Sequence, residues 1–457
     1  MNASQHDMPD MMHTQFQNAL WTQFANIILG LWLATSPVTF GYGGDMAWND
    51  TVSGIALIML GFLSLSYERG WARWATTALG IWLLMAPLVL WAPTAASYVN
   101  ATIVGTLAIA FSILVPGMPG MRMQPGPETP PGWSYNPSSW LQRAPIIGIG
   151  MVGFFISRYL AAVQLGYIDE AWDPFFGNQT MNVLTSDMSE AWPVSDAGLG
   201  AVAYMLEALS GFMGHRDRWR TMPWMVLMFG FLVIPLGLVH IALVMSQPVL
   251  VGNWCTLCIA VALLMLLMIP LAVDEVVAMG QFIKTTRSQG KPFWTNFWKG
   301  GTPWTDEEIE AHMDSNGGHG SNGDDEPDFQ SPLGEASRAM VWGVTVPWNL
   351  LLMAAAGIWI TVAPGVLLYE GSMANSDHLA GPIIAVIAVT AMAEVTRSVR
   401  LLAIPVALWI MLSPLLLDGG TTASLVSNLI AGLLIIALSV PRGPIRQRYA
   451  DWSTMMR

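Results

Sequence analysis

Asn253-Trp254-Cys255-Thr256-Leu257-Cys258 opens an apolar run that continues to Ala272 without a charged residue. A run of that length crosses a bilayer as one helix, so this stretch places the chain among membrane proteins. Cys255 and Cys258 are the only cysteines in 457 residues. At C-x-x-C spacing on a helix start they sit about one turn apart on one face, close enough to cycle between dithiol and disulfide. The helix N-terminus also favours a thiolate at Cys255. The competing reading, in which two small side chains merely pack in a membrane helix, assigns the pair no chemistry.

Composition carries the same message across the chain. Hydrophobic residues make up 53% and charged residues 11%, which excludes an ordinary soluble domain. The net charge of -12 excludes nucleic acid as a partner and reflects acidic loops. Apolar runs recur at about 21–42, 52–65, 72–92, 97–116, 145–164, 197–214, 223–247, 254–273, 347–368, 379–395, 401–417 and 422–440. The expected fold is therefore an all-α polytopic membrane protein with about twelve transmembrane helices. Residues 1–20 hold no Lys or Arg and no short apolar core before a small-residue cleavage site, so a retained first helix is expected rather than a removable signal.

Threading these spans from a cytoplasmic N-terminus gives a one-sided charge distribution. Of the 19 basic residues, all but Arg158 fall on the inner side, among them Arg69, Arg73, Arg122, Arg143, Arg216, Arg218, Arg220, Lys284, Arg338, Arg397 and Arg448. Arg158 lies within a span. Both termini are thus expected in the cytoplasm, with the C-x-x-C at the outer face of a bacterial-type inner (plasma) membrane, where disulfides persist. On this threading Cys255 lies nearer water, and Cys258 about 4–5 Å deeper. The acidic segment 166–196, which holds Asp169, Glu170, Asp173, Asp187, Glu190 and Asp196, is then an outer loop long enough to fold over the helix ends. Asp173 and Asp187 are expected to be solvated.

A repeat frames the centre of the chain. Gly30-Leu31-Trp32-Leu33-Ala34-Thr35-Ser36-Pro37 recurs as Gly80 through Pro87, as Gly357 through Pro364, and with Ala for Gly as Ala407 through Pro414. Pro37 and Pro87 are 50 residues apart, as are Pro364 and Pro414, so each end of the chain carries two tandem helix hairpins. The motif reads as packing: a small residue for close helix approach, a tryptophan, and a proline that ends or kinks the helix. It resembles the SPW-repeat membrane proteins over roughly 20–116 and 345–440, which implies a membrane module and no activity.

Polar segments separate the parts. Residues 117–142, rich in Pro and Gly, read as a poorly ordered linker. Residues 284–337 read as a disordered connector, with Phe293, Trp294, Phe297 and Trp298 at headgroup level. His312 and His319 lack paired ligand spacing, so no metal site is expected. The resulting division is 1–19 tail, 20–116 repeat pair, 117–144 linker, 145–283 central domain, 284–338 linker, 339–440 repeat pair and 441–457 basic tail.

The central domain carries a specific resemblance. Thr180-Met181-Asn182-Val183-Leu184-Thr185-Ser186, then Trp192-Pro193-Val194-Ser195-Asp196 and Gly200 through Tyr204, followed two helices later by the C-x-x-C, resemble the vitamin K epoxide reductase family. The resemblance implies a four-helix bundle that holds a quinone of the menaquinone or ubiquinone type, oxidises a partner thiol and reduces the quinone. It implies that Cys255 exchanges with the partner and Cys258 faces the quinone. Ser186 matches the family's loop serine, and Ser195 or Asp196 stands where a quinone-contacting asparagine is expected. Three departures stand out. The family's second cysteine pair would fall at Thr180 and near Trp172, the tyrosine expected four residues after the second cysteine is Ala262, and no thioredoxin-like stretch accompanies the bundle. Electrons would have to come from a separate thiol or thioredoxin-like protein.

Three other polar residues fall inside spans. Arg158 and Glu207 are placed to pair across the fifth and sixth helices, as a structural ion pair or a proton path. His240 is a candidate proton donor to a reduced quinone or a hydrogen-bonded core histidine. Three functions remain distinguishable: a membrane thiol:quinone oxidoreductase, a degenerate quinone- or lipid-binding scaffold, and a transporter. The last is disfavoured because the repeats are parallel and flank the core.

Overall fold

The computed structural model describes residues 14, 16–114, 125–305, 307–309 and 326–454. Its helices are α1 (Trp21–Phe40), α2 (Gly44–Ser64), α3 (Gly70–Val89), α4 (Ala95–Ile113), α5 (Trp140–Gln164), α6 (Gln179–Leu184), α7 (Asp196–Phe212), α8 (Arg218–Thr221), α9 (Pro223–Ser246) and α10 (Thr256–Ser288). They continue as α11 (Phe293–Lys299), α12 (Leu333–Ala339), α13 (Trp348–Leu367), α14 (Ser372–Thr390), α15 (Ala403–Leu416) and α16 (Thr422–Ser439). Among the described residues there are ten helical stretches long and apolar enough to cross a membrane, and the chain is an all-α multi-pass membrane protein. His312, His319, Arg122 and Arg457 lie outside the described residues.

Two of the twelve expected spans are helical but fall outside those ten. α7 has 17 residues. α14 opens on a polar run containing Asn375, Ser376, Asp377 and His378. The run 52–65 proves to be the apolar part of a longer helix, because α2 begins at Gly44 and carries Asp45, Asn49 and Asp50 in its first turns. Each is accommodated differently: Asp45 is exposed, Asn49 accepts from Trp82, and Asp50 is buried and accepts a hydrogen bond from Tyr42.

The contacts divide the chain into two compact units, one within 1–122, 151–171 and 189–213, the other within 123–150, 172–188 and 214–457. The four helices expected for the central bundle are all formed. α7 belongs to the first unit, α9 and α10 to the second, and the boundary crosses α5.

In the first unit α1 to α4 close a ring, α1 packing on α2 and α4, and α3 on α2 and α4. The ring buries polar residues beside an apolar core and is apolar outside: Gln23, Asn26, Ser36 and Asp50 are buried along with Leu33, Leu57 and Leu83, while Ile28, Leu31, Met59 and Phe62 are exposed. That arrangement suits a hydrocarbon surround. Gly30 allows close helix approach, since a Cβ there would fall 2.6 Å from the Gly54 carbonyl oxygen. Pro37 lies in the last turn of α1, and Gly41, with φ +69°, turns the chain out.

The second unit repeats this ring with α13 to α16. A single constant shift in residue number relates Trp32 to Trp359, Trp82 to Trp409, Asn49 to Ser376, Asn100 to Ser427, Tyr42 to Tyr369 and Asp50 to Asp377. The interactions follow the shift. The repeat tryptophans donate across hairpins, Trp32 to Asn100 at 2.7 Å, Trp82 to Asn49 at 2.7 Å, Trp359 to Ser427 at 3.0 Å and Trp409 to Ser376 at 2.9 Å. Tyr369 donates to Asp377 as Tyr42 does to Asp50. The capping box of Thr94 and Ser97 on α4 recurs as Thr421 and Ser424 on α16.

Aromatic residues of the first linker and of the basic tail are packed. Trp133 and Tyr135 are buried, Tyr135 donating to Asp274 and Trp133 to Gln281 at 2.6 Å. Tyr449 of the basic tail is fully buried and donates to Glu394 at 3.0 Å. The aromatic side chains explain the difference: they bury enough apolar surface to order segments whose Pro and Gly content suggested flexibility.

Candidate functional site

The second unit places both cysteines at the start of α10. The chain leaves α9 through one π-helical turn, Gln247–Val251, and reverses at Gly252 with φ +70°. Cys255 is then extended and serves as the N-cap, its Sγ accepting from the Cys258 amide at 3.1 Å. Cys255 and Cys258 form a disulfide, with Cα atoms 5.2 Å apart. The amides of this helix end favour negative charge on the Cys255 sulfur once the bond is reduced.

The loop 172–188 folds over this helix start. The Trp254 amide donates to Gln179 Oε1 at 2.9 Å, and Asn182 donates to Asn253 at 3.2 Å. From below, Gln247 Oε1 accepts from the Cys255 amide at 3.2 Å. Cys255 has 0% of its surface exposed and Cys258 is half-buried. The expected order of access is therefore reversed, because the loop covers the helix start that the threading left facing water.

Asp173, expected to be solvated, organises that loop. It accepts from Thr256 Oγ1 at 2.5 Å, from Thr180 Oγ1 at 2.7 Å, and from the amides of Phe176 at 2.9 Å, Thr180 at 3.1 Å and Phe175 at 3.2 Å. Burial alone would raise its carboxyl, but the bonds from Thr256, Phe176, Thr180 and Phe175 outweigh it and hold the pKa at about 2. Thr180, one position where the resemblance implies a loop cysteine, is thus held by a hydrogen bond. The sequence signal for this role was Asp173-Pro174, a turn-starting pair in which an Asp side chain caps the amides that follow. Asp187 is exposed, as expected.

An apolar cavity of about 570 Å³ lies along α10 below the disulfide. Ala262, one turn below Cys258 on the same helix face, lines it with Leu263 and Leu266. α9 contributes Ile241 and Val244, and α13 and α14 supply the opposite wall, where Thr361 and His378 are its polar side chains. The residues fit an apolar ring-bearing ligand with one polar end. His378 meets Trp254 edge-on, with ring centroids 5.7 Å apart.

The remaining candidates are dispersed. Ser186 donates to the Val183 carbonyl at 2.7 Å and finishes α6. In the first unit Ser195 caps α7, accepting from Gly198 at 2.9 Å and donating to Gln164 at 2.5 Å. Asp196 accepts from Gln164 at 2.5 Å and Ser189 at 3.1 Å. Arg158 and Glu207 are not brought together: the Arg158 guanidinium lies 5.7 Å from the Phe154 ring centroid, and both Glu207 carboxylate oxygens are buried without a hydrogen-bond partner. His240 is half-buried on α9, in the turn before Ile241 and Val244, and is not among the cavity-lining residues.

Residues 144–273 match the Vitamin K epoxide reductase family, and residues 20–115 and 347–441 match the SPW repeat domain. No curated protein and no solved structure matches the chain.

Proposed function

We propose that the chain is a membrane thiol:quinone oxidoreductase, with its C-x-x-C facing the outer side of a bacterial-type inner membrane. The observation that carries this reading is the Cys255–Cys258 disulfide, capping α10 one turn above an apolar cavity. Residues 144–273 match a family of membrane thiol–quinone enzymes, which supports it.

Cys255 is the sulfur attacked by the thiolate of a thioredoxin-like partner. A mixed disulfide forms at Cys255, the Cys255–Cys258 bond breaks, and the electron pair leaves on Cys258. The Cys258 amide stabilises charge on Cys255 when the partner's second thiol releases it as leaving group. The two cysteines are then both reduced and the partner carries the disulfide. A quinone of the menaquinone or ubiquinone type, held along α10 by Ala262, Leu263 and Leu266, would supply the two-electron, two-proton acceptor that lets Cys255 and Cys258 return to the disulfide. Because Cys255 is covered, the loop 172–188 must lift before a partner reaches it. Residues 145–283 hold the redox centre in this reading, and 20–116 and 339–440 are the repeat modules.

The test is to reduce the purified full-length protein, remove the reductant, add menadione or decylubiquinone, and follow the two cysteines by alkylation and mass spectrometry. Re-formation of the disulfide with stoichiometric hydroquinone supports the reading. Cysteines that stay reduced with quinone bound indicate a scaffold, the reading favoured by the absence of exposed surface on Cys255.

A further inference from the structure

We infer that the carboxy-terminal repeat module forms half of the quinone site, and that His378 is the hydrogen-bonding residue for the polar end of the ligand. The inference rests on the thiol:quinone reading and assigns a chemical role to a module otherwise built for packing.

Three observations converge on His378. The first is a break in the equivalence of the two modules. The shift that relates Trp32 to Trp359 and Asp50 to Asp377 relates Thr51 to His378 and Ala34 to Thr361. The packing residues are kept, whereas these two positions acquire a ring and a hydroxyl, and both line the cavity. The second is position. His378 lies in the early turns of α14 and meets Trp254, the residue before Cys255, so it stands at the disulfide end of a largely apolar space. The third is the hydrogen-bonding state of the ring. Nδ1 lies 2.9 Å from the Thr361 carbonyl oxygen, which can only accept, so Nδ1 carries a proton. Nε2 is then the acceptor of a neutral ring and a second donor of a charged one, suited to a hydroquinone hydroxyl or a quinone carbonyl respectively.

An acyl chain would fill the same apolar walls without needing the ring, so the two occupants are separable. A quinone is favoured because the polar group stands at one end of the cavity, beside the only disulfide, and because the small side chain of Ala262 leaves room below Cys258.

The experiment photolabels the full-length protein in nanodiscs with an azido-decylbenzoquinone and maps the label by mass spectrometry, with menadione and excess phospholipid as competitors. Label on 348–390 that menadione displaces and phospholipid does not is the expected result. His378→Thr, the first module's residue, should weaken menadione binding about tenfold at unchanged thermal stability, the scale of one hydrogen bond to a charged or strongly polar group. His378→Gln, which keeps a polar atom within reach of the Nε2 position, should restore much of it. Label confined outside 348–390, equal displacement by phospholipid, or unchanged affinity in His378→Thr overturns the inference, and with wild-type turnover intact leaves the thiol:quinone reading standing. Displaceable label on 348–390 without reoxidation of the cysteines supports the site and removes the catalytic reading.

Discussion

Thr256, the residue that follows Cys255, donates to Asp173 at 2.5 Å, so one carboxylate joins the loop 172–188 to the dithiol turn. The same carboxylate holds Thr180 and the amides of Phe175 and Phe176. The loop thus stays over Cys255 through a set of charge-assisted hydrogen bonds, each worth roughly 1.5–3 kcal/mol where it is shielded and less where water competes.

Replacing Asp173 by Asn removes the charge and leaves one acceptor oxygen for five donors. Access to Cys255 should rise in proportion to loop opening. After reduction, maleimide modification of Cys255 in Asp173→Asn should be faster by about tenfold or more, by the scale of the hydrogen bonds lost, while Cys258, already half-exposed, changes little. Equal rates in variant and wild type would show that the loop is not what protects the sulfur.

The pH dependence of that protection has a definite sign. The folded pKa of Asp173 lies at about 2, below the ordinary value of 3.8, so its contribution is fully present above the ordinary value and is lost as pH falls toward 2. Loop opening, followed by hydrogen exchange at the amides of Phe176 and Thr180 after correction for intrinsic rates, should be flat from neutral pH to about 5 and should increase only below about 4. Opening that already increased near pH 6 would point to another titrating group.

Close helix approach in the modules makes a steric prediction. A Cβ on Gly357 would fall 2.6 Å from the Gly381 carbonyl oxygen, as on Gly30 it would from Gly54. Gly357→Val and Gly30→Val should each separate a helix pair and lower the unfolding temperature in detergent sharply, with loss of monodisperse protein on size exclusion. By contrast Trp409→Phe removes one hydrogen bond, to Ser376, and should cost only about 0.6–1 kcal/mol, the usual range inside membranes.

These residues also show what sequence can and cannot reveal. The spans and the repeat were legible because apolar length and a Gly-x-Trp-Pro pattern are local signals. Asp45 and Asp50 hid the true start of α2: Asp45 is exposed, and the burial of Asp50 depends on Tyr42 and the ring interior. Trp133, Tyr135 and Tyr449 read as linker and tail residues because their partners, Gln281, Asp274 and Glu394, are distant in sequence. Ser186, Ser195 and Asp196 carry the family resemblance, and their hydrogen bonds are helix caps and ties to Gln164 and Ser189. His378 had no signal of its own; its difference from Thr51 becomes meaningful only when the modules are superposed residue by residue.

Farther along α10, Glu275 is buried and takes a two-pronged bond from Arg218, Nε to Oε1 at 2.5 Å and Nη2 to Oε2 at 2.6 Å, with Ser138 donating to the same Oε1. The charge of Arg143 also bears on both members of the pair. Removing one partner of such a buried pair leaves a charge without compensation, at a cost of roughly 3–5 kcal/mol. The two halves are not equivalent. Glu275→Ala leaves the like charges of Arg143 and Arg218 acting on each other without the carboxylate, whereas Arg218→Met leaves Glu275 with Arg143 and Ser138. Thermal unfolding in detergent should therefore show Glu275→Ala as the more damaging change and Arg218→Met as clearly milder. Equal losses would mean that Arg143 contributes no compensation and that the bonds to Arg218 alone hold Glu275 in place.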